Sequence, residues 1–315
     1  MTMPLNNRTA AVVDVILSRH ARGYRNGTMI GHLIAPRVYV GNRNMRTIAF
    51  GKESFRAVNA RRAPGANTKR IQYGFASDPL SLLQDSLEAL VPYEHQEEAE
   101  KVPGIDLAAN AVNMVMDVLD LGLELETAQM VRNAATYDVN SKLALAGADK
   151  WSHVDSDPSA DIDAAKEAIR LRIGRYPNQL TLGAPVFAAL KRHPKIKEQF
   201  KYTSSESITA QMMASYFDLE KVIVGSAVYL PEAASNDDNA TDVWGNDAIL
   251  AFVPNAQTGN FQIPSFAYTY ELNGYPLVEQ PYADRNAKSW IYPTTVERRP
   301  KLVGVDAGFL FIGAV

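Results

Sequence analysis

The longest uninterrupted helical pattern in the sequence runs through Ile105–Tyr137. Its apolar residues recur every three to four positions, as on one face of a helix, at Leu107, Ala111, Val115, Val118, Leu119 and Gly122. The opposite side is polar and is expected to face water, through Asn113, Asp117, Asp120, Glu124 and Arg132. A helix of this length spans roughly 50 Å. Because that exceeds the diameter of a small domain, we expect the helix to run past one core and to support several elements.

The composition is that of a soluble globular protein. Of the 315 residues, 46% are hydrophobic and 21% are charged, and a chain of this length usually forms two domains. The chain contains no cysteine, which excludes a disulfide framework, a thiol nucleophile and a cysteine-ligated metal site. No apolar run approaches the roughly 18 residues that a membrane-spanning helix needs.

Motifs that would indicate an enzyme are missing. The sequence has no Gly-x-Ser-x-Gly elbow, no Gly-x-Gly-x-x-Gly fingerprint and no EF-hand loop. The histidines lie singly and without the spacing of a zinc site, at His20, His32, His95, His153 and His193. The sequence therefore predicts no catalytic residue, no metal ligand and no cofactor. A Ser-His-Asp triad dispersed along the chain stays open, because geometry rather than spacing defines such a site.

The first 95 residues lack the apolar content of an independent core. Residues 1–45 are rich in turn-forming residues and are predicted to form an extended arm. Residues 46–95 are predicted to form a long two-stranded hairpin with a basic tip that carries glycine and proline. Its limbs are Arg46–Phe50 with Phe55–Val58, and Arg70–Phe75 with Leu80–Val91. Such a hairpin is only marginally stable alone, so we expect the arm and the hairpin to be ordered by a neighbouring chain.

Strands and helices alternate between residues 141 and 280, as is typical of an α/β or α+β domain. The predicted helices are Ile162–Ile173, Val186–Leu190 and Met213–Phe217. The predicted strands of this region are Asn178–Leu182, Val222–Gly225 and Ile249–Val253. Three further strands are predicted near the C-terminus, at Trp290–Tyr292, Lys301–Val305 and Phe309–Ile312.

This region contains three stretches that resemble the axial domain of tailed-bacteriophage major capsid proteins, which have the Hong Kong 97-like fold. The stretches are PNQLTLGAPVFAALKRHPKI, ITAQMMASYFDLEKVIVGSAVYL and VWGNDAILAFVP. The order of the other elements agrees over nearly the whole chain. The resemblance implies an α+β fold with an N-terminal arm at 1–45, an extended hairpin loop at 46–95, an axial domain at 141–280, and a peripheral domain with a long spine helix at 96–140 and 281–315.

The resemblance also implies a structural protein rather than an enzyme. The chain would self-assemble into pentamers and hexamers of an icosahedral capsid in the host cytoplasm and would become part of the virion. Its expected partners are further copies of itself, packaged double-stranded DNA, a scaffold, a portal and a decoration protein, with no membrane. Two alternatives stay open: an encapsulin-like compartment shell, and a soluble α+β enzyme without a recognisable motif.

Charge is strongly segregated along the chain. Residues 1–70 contain 13 Lys and Arg against 2 Asp and Glu, a net of +11, whereas residues 71–130 contain 1 against 12, a net of −11. The basic part could contact DNA, or the two parts could pair within one subunit. We favour pairing between subunits, because the arm and hairpin need a surface. The predicted intersubunit contacts are Arg43, Arg46, Lys52, Arg56, Arg61, Arg62, Lys69 and Arg70 on the basic side and Glu94, Glu97, Glu98, Asp117 and Glu124 on the acidic side.

Overall fold

A computed structural model describes residues 13–49, 61–62, 67–68, 76–99, 106–200, 208–235, 237–254 and 265–315. The helices are α1 (Val15–Gly23), α2 (Gly31–Ile34), α3 (Tyr93–Ala99), α4 (Leu107–Arg132), α5 (Pro158–Ile173), α6 (Ala184–Arg192), α7 (Pro194–Phe200) and α8 (Ala210–Tyr216). The strands are β1 (Arg37–Val40), β2 (Asn44–Ala49), β3 (Ala76–Ser81), β4 (Leu83–Pro92), β5 (Lys142–Ala144), β6 (Gln179–Gly183), β7 (Lys221–Gly225), β8 (Val228–Tyr229), β9 (Thr241–Asp242), β10 (Ala248–Ala251), β11 (Ala267–Leu272), β12 (Leu277–Val278), β13 (Tyr282–Asp284), β14 (Ser289–Leu302) and β15 (Gly308–Ile312).

The long predicted helix is present as α4, which has 26 residues and spans about 39 Å. It begins where the Asp106 carboxylate accepts a hydrogen bond from the backbone N–H of Ala109 at 3.0 Å. It ends at Arg132, because Asn133 adopts an extended conformation and its side chain accepts from Ala135 N at 3.0 Å. The predicted end at Tyr137 is therefore wrong, since the short Asn133 side chain offers the backbone an alternative to the helix.

The first sheet is built around the 14-residue strand β14. Antiparallel β4 pairs with β14 along one side, while β13, β12 and β11 pair with successive parts of its other side. Strand β1 extends the sheet by pairing in parallel with β11. Helix α4 packs on one face, where Val112 and Met116 are buried with Ala89 and Val296.

The second sheet contains five strands within the described residues, in the order β5-β15-β10-β6-β7. Its core includes Trp151, Leu180 and Phe311, all fully buried, and helices α5, α6 and α8 contribute to it. The predicted helices and strands between residues 158 and 253 are confirmed within a few residues. Strand β15 pairs with β10 and β5, so Phe309–Ile312 does not join the sheet of Trp290–Tyr292 as the resemblance implied.

Strands β2 and β3 form the base of the predicted hairpin and pair from Asn44↔Ser81 to Ala49↔Ala76. Strand β3 continues the line of β4 beside β14, because Arg299 donates to the Ser81 carbonyl at 3.2 Å and Lys301 to the Pro79 carbonyl at 3.4 Å. Most of the predicted tip, including Lys52, Arg56, Lys69 and Arg70, lies outside the described residues.

The arm lies on the chain's own α4 and first sheet. Leu17 and Ala21 of α1 are buried against the first half of α4. Ile30 and Ile34 are buried beside Ala128 and Val131 near its end, and β1 adds to the sheet. The expectation that a neighbouring chain orders the arm is therefore wrong for residues 13–40. The few apolar side chains of this segment lie far apart in the sequence. They are buried in two different clusters of the subunit, Leu17 and Ala21 in one and Ile30 and Ile34 in the other.

Candidate intersubunit surface

Helix α4 buries most of the face that its periodicity predicted, including Ala111, Val115 and Leu119, but four positions differ from the prediction. Asp120 and Glu124, expected to face water, are only 6% and 2% exposed. Met114 and Val118 are 58% and 55% exposed, and a Cβ added at Gly122 would meet no atom within 4 Å. Helix α4 therefore buries the carboxylates of Asp120 and Glu124 and exposes the apolar side chains of Met114 and Val118.

Glu124 is held by three donors from distant parts of the chain. Its carboxylate accepts the backbone N–H groups of Ile30 at 2.9 Å and Gly31 at 2.6 Å, and the indole N–H of Trp244 at 2.7 Å. A Cβ at Gly31 would lie 2.6 Å from the nearer carboxylate oxygen, so a larger residue here would displace the Glu124 carboxylate from its present position. Glu124 thus joins the arm, α4 and the segment before β10.

Asp120 and Glu271 complete a buried carboxylate cluster with Glu124. Arg298 of β14 donates to Asp120 and to the Leu119 carbonyl. Arg37 lies between the two carboxylates, 3.5 Å from Asp120 and 3.6 Å from Glu271. The cluster therefore has two guanidinium groups for three carboxylates, and Glu124 is the carboxylate without a guanidinium partner.

Burial controls the protonation of this cluster. It raises the pKa of Glu124, and the bonds from Ile30, Trp244 and Gly31 oppose the rise only partly. It also raises the pKa of Glu271, against the influence of Arg37 and Arg298. These two carboxylates therefore take up protons more readily in the folded chain than in the unfolded chain.

We expect the stability of the wild-type subunit, relative to a Glu124→Gln variant, to rise as pH falls. Because folding raises the pKa of Glu124 above its ordinary value of 4.5, the folded chain binds more protons between the two values. The relative stability should be lowest near pH 8 and reach a plateau below about pH 4.5. Denaturant unfolding of unassembled subunits from pH 4 to pH 8 measures it, and a pH-independent difference contradicts the expectation.

A groove lies between α4 and β4. It has a volume of about 580 Å³ and is lined by Gln84, Asp85, Ser86, Leu87, Val118, Leu119, Gly122, Leu123, Glu126 and Arg298. We name it the acidic groove, because Asp85 and Glu126 line it together with the apolar Leu87, Val118 and Leu123. Burial raises the pKa of Glu126, while Arg299 opposes this rise and Asp85 adds to it.

Large apolar side chains continue from the groove along β4. Leu83, Leu87 and Leu90 are 47%, 41% and 51% exposed. Leu87 and Val118 line the groove together, Leu83 projects from the same face of β4 as Leu87, and Met114 lies one helical turn before Val118, whereas Leu90 lies on the other face of β4. An exposed apolar area of this kind marks a protein–protein interaction site.

The structure separates the predicted contact residues into two groups. Arg43, Asp117 and Glu124 are engaged inside the subunit, since Arg43 bonds the buried Glu297 through two nitrogens and Asp117 accepts from Tyr24 and Asn26 at 2.8 Å. The exposed group is Arg46, Arg61, Arg62, Glu94, Glu97 and Glu98. Lys52, Arg56, Lys69 and Arg70 lie outside the described residues.

The sequence reasoning missed the apolar residues of this surface. Val118 and Gly122 follow the same spacing as the buried Ala111 and Val115, so the pattern assigned all four to the core. The leucines of β4 could have indicated this surface from the sequence alone. They occupy both faces of the strand, whereas a strand with one face in water has apolar residues on one face only.

The family of the chain follows from its sequence relatives. The family model of phage major capsid protein E matches residues 113–291. The chain is 32% identical to the major capsid protein of Burkholderia phage BcepMu over 305 residues, which cover 96% of each chain. The chain belongs to the phage major capsid protein E family. It is a structural component of the virion and not an enzyme.

Solved structures agree with this assignment. The capsid subunit is similar to the crystal structure of a phage-related protein from Bordetella bronchiseptica RB50, with 45% sequence identity, a TM-score of 0.83 and coverage of 97% of this chain and 98% of that chain. The capsid of cyanophage P-SCSP1u matches with a TM-score of 0.58 over 92% of this chain and 89% of that chain. At 9% identity this second likeness shows the fold alone. The α+β fold is thus that of phage capsid proteins.

Among the described residues, no group of three or more histidine, aspartate or glutamate side chains could hold a metal ion. The same part of the chain contains no helix that is long and apolar enough to cross a membrane.

Proposed function

We propose that this capsid subunit self-assembles into pentamers and hexamers of a closed icosahedral shell that encloses double-stranded DNA. The observation that carries the proposal is the exposed apolar area between α4 and β4, in a chain whose family forms phage capsids. A monomer would leave this area in water, whereas repeated contact between copies covers it. The family assignment favours a phage capsid over an encapsulin-like compartment.

The subunit divides into the four parts that the resemblance implied, but the boundary between the peripheral and axial domains differs from the residue ranges given above. We propose that the peripheral domain consists of α4 and the first sheet, and that it includes β11 and β12 from the region assigned to the axial domain. The axial domain then consists of the second sheet with its helices, and it includes β15. The extended hairpin loop at 46–95 connects the subunit to its neighbours, whereas residues 13–40 of the arm at 1–45 pack on the subunit's own α4 and first sheet.

Basic residues of one subunit contact acidic residues of the next in this proposal. The basic side consists of Arg46, Lys52, Arg56, Arg61, Arg62, Lys69 and Arg70 of the hairpin. The acidic side consists of Glu94, Glu97 and Glu98, which lie exposed on α3. We leave out Arg43, Asp117 and Glu124, because each already has partners inside the subunit.

The same role implies further partners. A scaffold would direct the curvature of the growing shell, a portal would admit the DNA, and a decoration protein would bind the outer surface. We propose these partners from the role of a phage capsid subunit.

Electron microscopy of the purified full-length protein tests the proposal. A shell subunit gives closed particles much larger than a single chain, whereas a soluble enzyme gives only small particles. Nuclease-protected double-stranded DNA inside particles from infected cells separates a phage capsid from a protein-filled compartment. If no condition yields closed shells or capsomers, the proposed function is wrong.

A further inference from the structure

Residues 243–247, between β9 and β10, lie where the second sheet meets α4. Val243 and Trp244 are buried in one cluster with Val131 of α4 and Ile223 of β7. The segment therefore contacts both the long helix, which packs on the first sheet, and the strands of the second sheet. We name residues 243–247 the junction segment.

The second sheet holds the junction segment from one side. The N–H of Gly183, at the end of β6, donates to the Asp247 carbonyl at 3.3 Å, and the N–H of Gly313, after β15, donates to the Asp247 carboxylate at 2.9 Å. A Cβ added at Gly225, the last residue of β7, would overlap the Trp244 indole, so the ring lies directly against this strand. Movement of the junction segment away from the second sheet would break these contacts.

Helix α4 holds the junction segment from the other side through two charged side chains. Arg132 donates to the Asp247 carboxylate at 2.7 Å and to the Val243 carbonyl at 2.8 Å. Glu124, about two turns earlier in the helix, accepts the indole N–H of Trp244 at 2.7 Å. The helix thus contacts both ends of the junction segment and the ring between them.

The arm shares one of these two anchors. The Oε1 atom of Glu124 accepts from Trp244 and also from the N–H of Ile30, while Oε2 accepts from the N–H of Gly31. A buried carboxylate that loses one donor is left with an uncompensated desolvation cost. It therefore leaves its position more readily, and the donors that remain lose their acceptor.

We propose that Glu124 couples the arm to the junction segment, so that release of either one weakens the hold of α4 on the other. Such a coupling is reciprocal, so each side stabilises the other by the same factor. The arm then helps to fix the second sheet on α4, and the second sheet helps to fix the arm. The inference concerns the single subunit and does not depend on the proposed shell function.

Trp244→Phe tests the coupling from the side of the junction segment. The substitution keeps an aromatic ring in the cluster and removes the N–H that Glu124 accepts. Amide hydrogen exchange, followed by NMR on unassembled subunits, reports local opening at Ile30 and Gly31. Both amides should exchange at least about fivefold faster than in the wild type.

Trp151→Phe is the matched control for this variant. Trp151 is also fully buried, and its indole also donates to a carboxylate, that of Asp161, at 2.9 Å. Its cluster belongs to the second sheet and includes no described residue of the arm. Exchange at Ile30 and Gly31 should therefore stay within about twofold of the wild type.

Gly31→Ala tests the coupling from the side of the arm. The added Cβ would displace the carboxylate of Glu124 from the place where it accepts the indole. The indole N–H of Trp244 should then exchange at least about fivefold faster, whereas that of Trp151 should not change. Gly27→Ala is the matched control, because a Cβ at Gly27 meets no atom within 4 Å, and it should leave both indoles unchanged.

A double variant attributes the effect to the carboxylate. In a Glu124→Ala background, the further change Trp244→Phe should leave exchange at Ile30 and Gly31 as it is, because the shared acceptor is already missing. Full retention of the effect in that background would show that the coupling runs through other contacts, and it would overturn the role of Glu124.

The remaining outcomes decide the coupling itself. Unchanged exchange in the arm of the Trp244→Phe variant overturns it, and so does an equal acceleration by Trp151→Phe. If Trp244→Phe does not fold, Gly31→Ala decides alone, and an unchanged Trp244 indole in that variant overturns the coupling. A wild-type chain that forms no shell would overturn the proposed function and leave this inference standing.

Discussion

A Glu124→Ala variant is expected to lose roughly 3–4 kcal/mol of unfolding free energy, because it leaves buried donors unsatisfied at about 1–3 kcal/mol each. The donors are the N–H groups of Ile30 and Gly31 and the indole of Trp244. Part of this loss is offset, since the variant no longer buries a carboxylate. Denaturant unfolding of the unassembled subunit at neutral pH measures the difference.

Glu126→Ala is the matched control, because it removes the same side chain from the same helix. Glu126 is only partly buried and makes no hydrogen bond that the structure records among the described residues. Its replacement should cost less than about 1 kcal/mol. Equal losses in the two variants would show that Glu124 does not connect the arm to α4.

For α4, the sequence predicts that the helix exists but not which distant residues contact its buried carboxylates. The helix was predictable because its apolar period extends over more than 20 residues and Asp106 supplies an N-terminal cap. The environment of Glu124 was not predictable, because its donors come from positions 93, 94 and 120 residues away. A pattern within one helix contains no information on such distant partners.

Strand partners show the same limit. The predictions of Asn178–Leu182 and Ile249–Val253 were confirmed as β6 and β10, because short apolar runs between turn residues are local signals. The pairing of β15 with β10 was not predictable, since every strand offers the same backbone N–H and C=O groups and its own sequence does not identify its partner. Of the candidate surface, the charged residues of the hairpin tip and α3 could be named from sequence. The apolar area beside them could not, because its residues have the same spacing as a core.

Reversing the charge of Arg61 and Arg62, by substituting glutamate at both positions, is expected to block shell assembly while the subunit stays folded. Both side chains are exposed, so the change removes no core contact. Each exposed pair contributes about 0–1 kcal/mol, and reversal replaces attraction by repulsion. A total of about 2 kcal/mol per subunit would raise the concentration needed for assembly roughly 30-fold.

Light scattering during assembly measures the assembly rate. Its dependence on salt concentration distinguishes an electrostatic effect of the substitutions from a steric one. At about 1 M salt the Debye length is roughly 3 Å, so the wild type should assemble more slowly and the difference between the two proteins should shrink. Arg192→Glu with Lys197→Glu is the matched control, because it makes the same change in net charge at exposed positions on α6 and α7, away from the proposed contact. If the control is impaired as strongly as the hairpin variant, total charge governs assembly. If the hairpin variant forms shells at the wild-type rate, charge pairing between subunits at the hairpin tip is wrong.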